Sequence, residues 1–283
     1  MQTIIESIPG WLLCILFVLF TSLVSLSGLW LVRKLVPSEA LRSSHDVAGF
    51  IIGIIGVMYA VVLAFVVIAV WEDYRQTDDT VMNEANAVGN LYRDCTGLQD
   101  SAAEIIKTDL RVYTQLVLDS EWREMEAGKE SSKAWGSYND MYLHIIHINP
   151  HSDREQVIFS ALLDNLTKFS DIRRARITES KPYIPQMIWI ILIAGSLIII
   201  FFTYFFALEN MRIQQLMTVM LSTTMALVLF MGVVFNYPFN GDFRIKPEAF
   251  ERLLKYSFPA ADKADLFHKE RERRKEKKME VGK

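Results

Sequence analysis

The sequence predicts an all-α fold: a four-helix transmembrane domain with a cytosolic helical bundle formed by extensions of the second and third spans. Three observations predict it. The 283-residue chain is 51% hydrophobic yet 22% charged, and the charges are segregated, with no Asp, Glu, Lys or Arg in residues 7–32, 47–71, 182–208 and 213–241. Residues 72–184, by contrast, hold 20 acidic and 13 basic side chains around apolar residues of helical period. The cations that flank the charge-free windows are shared unequally between the two sides. Core helices of a soluble protein are the competing account of the windows, but those are usually shorter and keep a polar face.

A helix rises about 1.5 Å per residue and needs roughly 20 residues to cross the hydrocarbon core. The windows therefore give spans at Trp11–Leu31, Gly49–Trp71, Gln186–Leu208 and Gln214–Val234. The first is not a cleaved signal peptide. Glu6 and no cation precede it, and bulky Trp30-Leu31-Val32 followed by Arg33-Lys34 closes it, where a cleavage site needs small residues. Cys14 falls in the first span and Cys95 in the charged segment, so the two thiols are expected to be free, as in a reducing compartment.

With four spans, the amino end, residues 72–184 and the tail after 241 share one side. Arg75, Lys168, Arg173, Arg174, Arg176, Lys181, Arg244, Lys246, Arg252 and Lys255 lie near the membrane there, against Arg33, Lys34, Arg42 and Arg212 on the other side. The positive-inside rule places both termini and the large segment in the cytosol. Read alone, the first helix, with Arg33-Lys34 after it and no cation before it, points the other way.

Within 72–184, Val81, Ala85, Val88 and Tyr92 extend the second span beyond the membrane as one rod. Gly97-Leu98-Gln99-Asp100 breaks it, with Asp100 or Ser101 placed to cap the next helix and Glu104 to complete a capping box. Ile106, Leu110, Tyr113 and Val117 line that helix, which ends at Gly128. A shorter helix covers about Ser132–Ile148 and stops before Pro150. The last, about Asp153–Thr178, shows Phe159, Leu162, Leu166 and Phe169, and meets the third span through Pro182 and Pro185. The expected organisation is transmembrane helices 1 and 2 over residues 1–71, the cytosolic bundle over 72–184, and helices 3 and 4 over 185–236. An ordered turn and helix follow at 237–260, then a charged, disordered tail at 261–283 with too few apolar residues to bury a face.

No phosphate-cradling loop, dinucleotide fingerprint, nucleophile elbow or paired-cysteine metal signature is present. The sequence therefore predicts neither an enzyme nor a bound cofactor, metal or nucleic acid. His144, His147 and His151 have helical spacing, but Pro150 interrupts it, which favours solvated histidines over a metal site. No ionisable Asp, Glu, Lys or Arg lies inside a span, which argues against an ion-coupled transporter.

The second span holds the candidate site. At 100° per residue, Gly49, Gly53, Val57, Ala60, Ala64 and Val67 form one narrow stripe, with Gly56 at its edge and large residues such as Ile51, Ile55, Met58, Val62 and Phe65 opposite. Small residues let two helices approach closely. They also allow a stripe facing a symmetry axis to line an apolar constriction gated by wetting. Asp46, Glu72, Asp78 and Glu84, with Asp73 and Asp79, are the candidate acidic residues of the pore mouths; the alternative for them is a solvated helix face helped by Arg75. Arg173, Arg174 and Arg176 are candidates to hold anionic lipid head groups or, equally, to pair with the acidic bundle. Ser222-Thr223-Thr224 can bond across helices or back to their own carbonyls.

The stretch from Leu63-Ala64-Phe65-Val66-Val67 to Trp71-Glu72-Asp73-Tyr74, with Tyr59-Ala60 before it and Asn83-Glu84-Ala85 after it, resembles the bestrophin-like family of bacterial and plant membrane proteins. So does the turn Pro238-Phe239-Asn240-Gly241, and the likeness covers about residues 45–258. The resemblance implies distant kinship to bestrophins, oligomeric anion channels with four spans, cytosolic termini and a pore lined by the second helix. It implies a homo-oligomer, a pentamer by analogy, with membrane lipids and inorganic ions as partners. Two features depart from that pattern: the stripe is small where bestrophin necks are bulky, and only Asp242 and Glu248 stand near the place of the bestrophin calcium clasp. The expected function is an oligomeric ion channel; the alternative is a non-conducting scaffold or sensor whose bundle binds a partner.

Overall fold

The computed structural model describes residues 9–36, 45–98, 100–206, 208 and 210–281. In chain order its helices are α1 (Gly10–Leu35), α2 (His45–Asp94), α3 (Asp100–Leu116), α4 (Trp122–Glu126), α5 (Ser132–Ile146), α6 (Asp153–Glu179), α7 (Gln186–Thr203), α8 (Met211–Phe235), α9 (Glu248–Arg252) and α10 (Phe258–Val281). A π-helical turn at Val117–Glu121 joins α3 to α4, and another at Leu253–Ser257 joins α9 to α10. Among the described residues there is no strand. The chain divides into two compact units, Met1–Arg75 with Pro182–Arg244, and Gln76–Lys181 with Ile245–Lys283.

The first unit contains α1, the first part of α2, α7 and α8. These four helices are long and apolar enough to cross a membrane. One core gathers Tyr59, Leu63, Leu192, Ile199 and Leu229; a second gathers Leu29, Ile200 and Tyr204. The Tyr59 hydroxyl donates to the Leu192 carbonyl at 2.8 Å and pairs with Ser196. Gly195 makes room for that ring: a Cβ there would fall 2.5 Å from two of its carbons. Between α1 and α8 the contact is small and polar, with Ser22 and Ser25 buried on one side and Gln214, Thr218 and Ser222 on the other. Ser222 Oγ donates to the Val219 carbonyl at 3.1 Å and lies 3.5 Å from Ser22 Oγ, so this hydroxyl bonds both within and between helices.

The third span ends at Thr203 rather than Leu208, where the Gln214 amide meets the Thr203 carbonyl at 3.5 Å. The fourth begins at Met211, three residues before the apolar run implies, because Asn210 caps it by accepting from the Arg212 backbone at 3.0 Å. Arg33, at the end of α1, donates to the Leu208 carbonyl at 2.9 Å and to the Gln214 side chain at 3.0 Å. After α8, Asn236 accepts from Ile184 N at 2.8 Å, and the following turn places Gly241 at φ +76°, a conformation that suits glycine.

The second unit is built on the apolar stripes read from the sequence. Val81, Ala85, Val88 and Tyr92 of α2 are buried, as are Ile106, Leu110, Tyr113 and Val117, and Leu162, Leu166 and Phe169 of α6; Phe159 is half-buried. Gly128, at φ +68°, closes the segment after α4. Ser152 caps α6 by accepting from Glu155 N at 3.2 Å. Residues 258–281 form α10, which carries the charge run. Phe258 stacks on Tyr92 at 4.2 Å, Asp262 accepts from the Tyr92 hydroxyl at 2.7 Å, and Asp265 accepts from buried Lys107 at 3.0 Å. Polar side chains with defined partners hold the first turns of α10, where apolar content alone predicts nothing.

Candidate functional site

Among the described residues, most of the small-residue stripe of α2 is uncovered. Gly49, Gly53, Val57, Ala60 and Ala64 are exposed, Val57 to 66%, and Val67 is half-buried. Among the described residues, a Cβ built on Gly53 or Gly56 meets nothing within 4 Å, and one on Gly49 meets only the Phe206 ring at 3.9 Å. The helix instead buries a neighbouring arc through Tyr59, Leu63 and Val70. Close packing inside one chain is therefore not what the stripe does. Of the large residues opposite, Ile51, Met58, Val62 and Phe65 are exposed as well, while Ile55 packs on the core. The exposed arc carries no ionisable group from Gly49 to Trp71, so it offers either apolar contact or an apolar passage.

The candidate acidic residues fall into different places. Asp46 lies in α2, but its side chain is outside the described residues. Glu72 and Asp78 are exposed. Partial burial, then the like charges of Asp79 and Glu248, push the Asp78 carboxyl above its ordinary value. Glu84 cannot line a pore mouth in this chain: it is 0% exposed, in the core of the second unit.

Arg173 and Arg176 are likewise withdrawn from any lipid surface, because both are completely buried with Glu84 and Glu121. Arg173 grips Glu121 with two parallel bonds of 2.8 and 2.9 Å. Arg176 donates to Glu121 at 2.7 Å and to Glu84 at 3.2 Å, with a further contact to Glu84 through Nε. The Tyr113 hydroxyl closes the network, donating to Glu84 at 2.5 Å and accepting from Arg173 at 2.6 Å. Rings cover the guanidinium groups: Tyr113, Trp135 and Tyr138 lie 4.9–5.5 Å from Arg173, and Trp122 lies 5.6 Å from Arg176. Two guanidiniums and two carboxylates thus balance, with α2, α3, the π-helical turn and α6 each supplying a member. Burial pushes the Glu121 carboxyl up, but Arg176 and then Arg173 outweigh it and hold the group below its ordinary value. Burial, then Glu84, drives the Tyr113 hydroxyl well up. Arg174 differs from its neighbours: it is exposed and pairs with Asp171 at 2.7 Å.

The sequence offered pairing with the acidic bundle as one of two alternatives for Arg173 and Arg176 but did not name Glu84, Glu121 and Tyr113 as the partners, though a signal was there. Leu162, Leu166, Phe169, Arg173 and Arg176 are spaced 4, 3, 4 and 3, so the arginines continue the apolar stripe of α6. Glu84 sits in the same way between Val81 and Val88, and Glu121 follows Val117 by four. Of the histidines, His144 meets Asp109 at 2.6 Å and His147 meets the Leu143 carbonyl at 2.7 Å. Among the described residues no three His, Cys, Asp or Glu side chains converge as metal ligands.

Four apolar spans joined to a helical bundle with a charge-paired core define a helical membrane protein. The family model of the bestrophin-like domain matches residues 19–250, and the chain belongs to the bestrophin-like family. Solved structures agree in fold. A bacterial bestrophin homologue from Klebsiella pneumoniae bearing a Leu-to-Thr mutation is 15% identical, with a TM-score of 0.57 over 88% of this chain and 98% of that one. A Tyr-to-Ala mutant of the homologue is 14% identical, with a TM-score of 0.58 over 87% and 98%. The homologue solved by zinc phasing is 15% identical, with a TM-score of 0.56 over 87% and 97%. No curated protein sequence matches significantly.

Proposed function

We propose that this protein is a homo-oligomeric, bestrophin-like ion channel of the bacterial inner membrane, with both termini cytoplasmic and α2 nearest the symmetry axis. One observation carries the reading: Gly49, Gly53, Val57, Ala60 and Ala64 are exposed, and among the described residues a Cβ added at Gly53 or Gly56 meets nothing within 4 Å. An apolar, charge-free strip of small residues is suited to a narrow passage that conducts when wetted. Glu72 and Asp78 are exposed beyond one end of it and supply negative charge there. Membership of the bestrophin-like family supports a channel over an enzyme.

The test is ion flux from liposomes containing the purified protein. Val57→Trp and Ala60→Trp should cut flux at least tenfold while leaving the oligomer intact. Tight liposomes containing a correctly assembled, unmodified oligomer overturn the channel and favour a non-conducting scaffold or sensor. A stable monomer in mild detergent also overturns it, since a monomer has no axis to line.

A further inference from the structure

The second unit holds an open cavity of about 400 Å³ where the start of α3, the end of α5 and the turn before α6 meet. That volume lies in the roughly 300–1,000 Å³ range of small-molecule sites. Leu98, Ile105, Ile106, Leu143 and Ile148 supply apolar walls. His144, His147, His151 and Glu155, with Ser101 and Asn149, supply the polar lining, and among the described residues no Lys or Arg lines the cavity.

The hydrogen bonds fix what that rim offers. The Leu143 carbonyl can only accept, so His147 Nδ1, 2.7 Å away, carries the hydrogen. His144 Nδ1 is set in the same way by the Asp109 carboxylate at 2.6 Å. In the neutral ring each remaining Nε2 then presents a lone pair. Glu155 is anchored from both sides, its carboxylate accepting from His151 N at 2.7 Å and its own N–H donating to Ser152 at 3.2 Å. Imidazole nitrogens and one carboxylate, with apolar walls behind them, suit a partner that donates hydrogen bonds and carries positive charge. Three ligand-type side chains do not converge on one point among the described residues, which argues for an organic cation over a metal ion.

We propose that this cavity binds small organic ammonium ions, with the alkyl or aryl body against Ile105, Ile106 and Leu143 and the ammonium group among His144, His147 and Glu155. The cavity is lined by residues of the second unit and the α2 stripe belongs to the first, so binding is measured without flux and stands or falls separately from the channel reading.

The experiment is calorimetric titration of the full-length protein in detergent with n-hexylammonium, hexanoate and hexanol. Hexylammonium should bind saturably, hexanol at least tenfold more weakly, and hexanoate not at all. His147→Ala or Glu155→Gln should weaken hexylammonium roughly tenfold or more, the scale of a lost bond to a charged group. Ala102→Trp, which fills the cavity from α3, should abolish binding. Should a variant lose its helical circular dichroism, the three probes on the unmodified protein still decide. Hexanoate binding as tightly as hexylammonium, no saturable binding, or full binding to folded Ala102→Trp overturns the proposal.

Discussion

Ser22, Ser25, Thr218 and Ser222 are buried polar residues of the first unit; Glu84, Glu121, Arg173 and Arg176 are buried polar residues of the second. The two sets are satisfied differently. Ser25 Oγ donates to the Thr21 carbonyl at 2.8 Å and Thr218 Oγ1 to the Gln214 carbonyl at 2.9 Å, each four residues back in its own helix. Ser25 and Thr218 are thus satisfied before any helix meets another, while Ser22 and Ser222 meet across α1 and α8 at 3.5 Å, so helix pairing there rests mainly on shape, at notches such as Gly195 and Gly28. In the second unit each charge finds its partners on other elements, and no member is satisfied until the bundle is assembled. The first unit should therefore tolerate polar changes and resist changes of volume, and the second should do the reverse.

Arg176→Met breaks that comparison most severely. It leaves Glu84 and Glu121 buried with a cation removed, and unpairing a buried charge costs about 3–5 kcal/mol. Hydrogen exchange should show lost protection in α2 beyond residue 76 and in α3 and α6, with α7 and α8 unchanged. Equal loss in both units would mean that they do not unfold separately.

The same network sets a pH dependence of two signs. Glu121 has a depressed folded value, so its contribution is complete above the ordinary carboxylate value of 4.5 and is lost as pH falls through the folded one. Tyr113 has a raised folded value, so its contribution is complete below 10.0 and declines as pH rises beyond that. Asp78, raised and exposed, opposes Glu121 weakly at the acid end. Denaturant unfolding followed by tryptophan fluorescence should show a plateau between pH 6 and 9 (bounded by roughly 4.5 and 10) that falls on both sides. A Tyr113→Phe protein should keep the acid fall and show a shallower alkaline one, the remainder coming from Tyr92 and Cys95, which burial also raises.

Gly195→Ala and Gly53→Ala form a pair within the first unit. At Gly195 the new methyl would sit 2.5 Å from the Tyr59 ring, whose hydroxyl is anchored, so something must shift at a cost of roughly 1–3 kcal/mol. At Gly53 the methyl meets nothing within 4 Å among the described residues, so the fold of one chain should be unchanged. Thermal unfolding in detergent should rank Gly195→Ala below the parent and Gly53→Ala level with it. A change in oligomer stability confined to Gly53→Ala would place another copy against the stripe.

These contrasts also mark what could be read from the sequence. The spans were legible because charge is excluded from hydrocarbon whatever the tertiary structure, and the stripes of α2, α3 and α6 because period 3.6 is local. The charge network was legible only as one alternative, since nothing local to Arg173 or Glu84 says which side chains they meet. The docking of α10 was hidden for the same reason: Asp262 and Asp265 look like a dilute charge run until Tyr92 and Lys107 face them. The pairing of α1 with α8 joins residues some two hundred apart and leaves only unremarkable serines and threonines as a trace. On the stripe itself, sequence showed that Gly49 to Val67 share a face, and the structure adds that most of that face is uncovered in one chain.

Arg174→Ala is the smallest and sharpest test, because it changes the middle of an Arg-Arg-x-Arg motif whose outer members are buried. Arg174 is 66% exposed in its side chain, its partner Asp171 65%, and they sit one turn apart on α6. Exposed pairs of this kind contribute about 0–1 kcal/mol, so Arg174→Ala should leave the unfolding midpoint nearly unchanged. The identical substitution at Arg173 strips Glu121, which is buried, of a two-bonded partner. Sequence neighbours of the same type then differ severalfold in energy, because 100° of helical rotation separates a solvated cation from a buried one. Comparable losses at Arg173 and Arg174 would mean that the register of α6 differs from the one described.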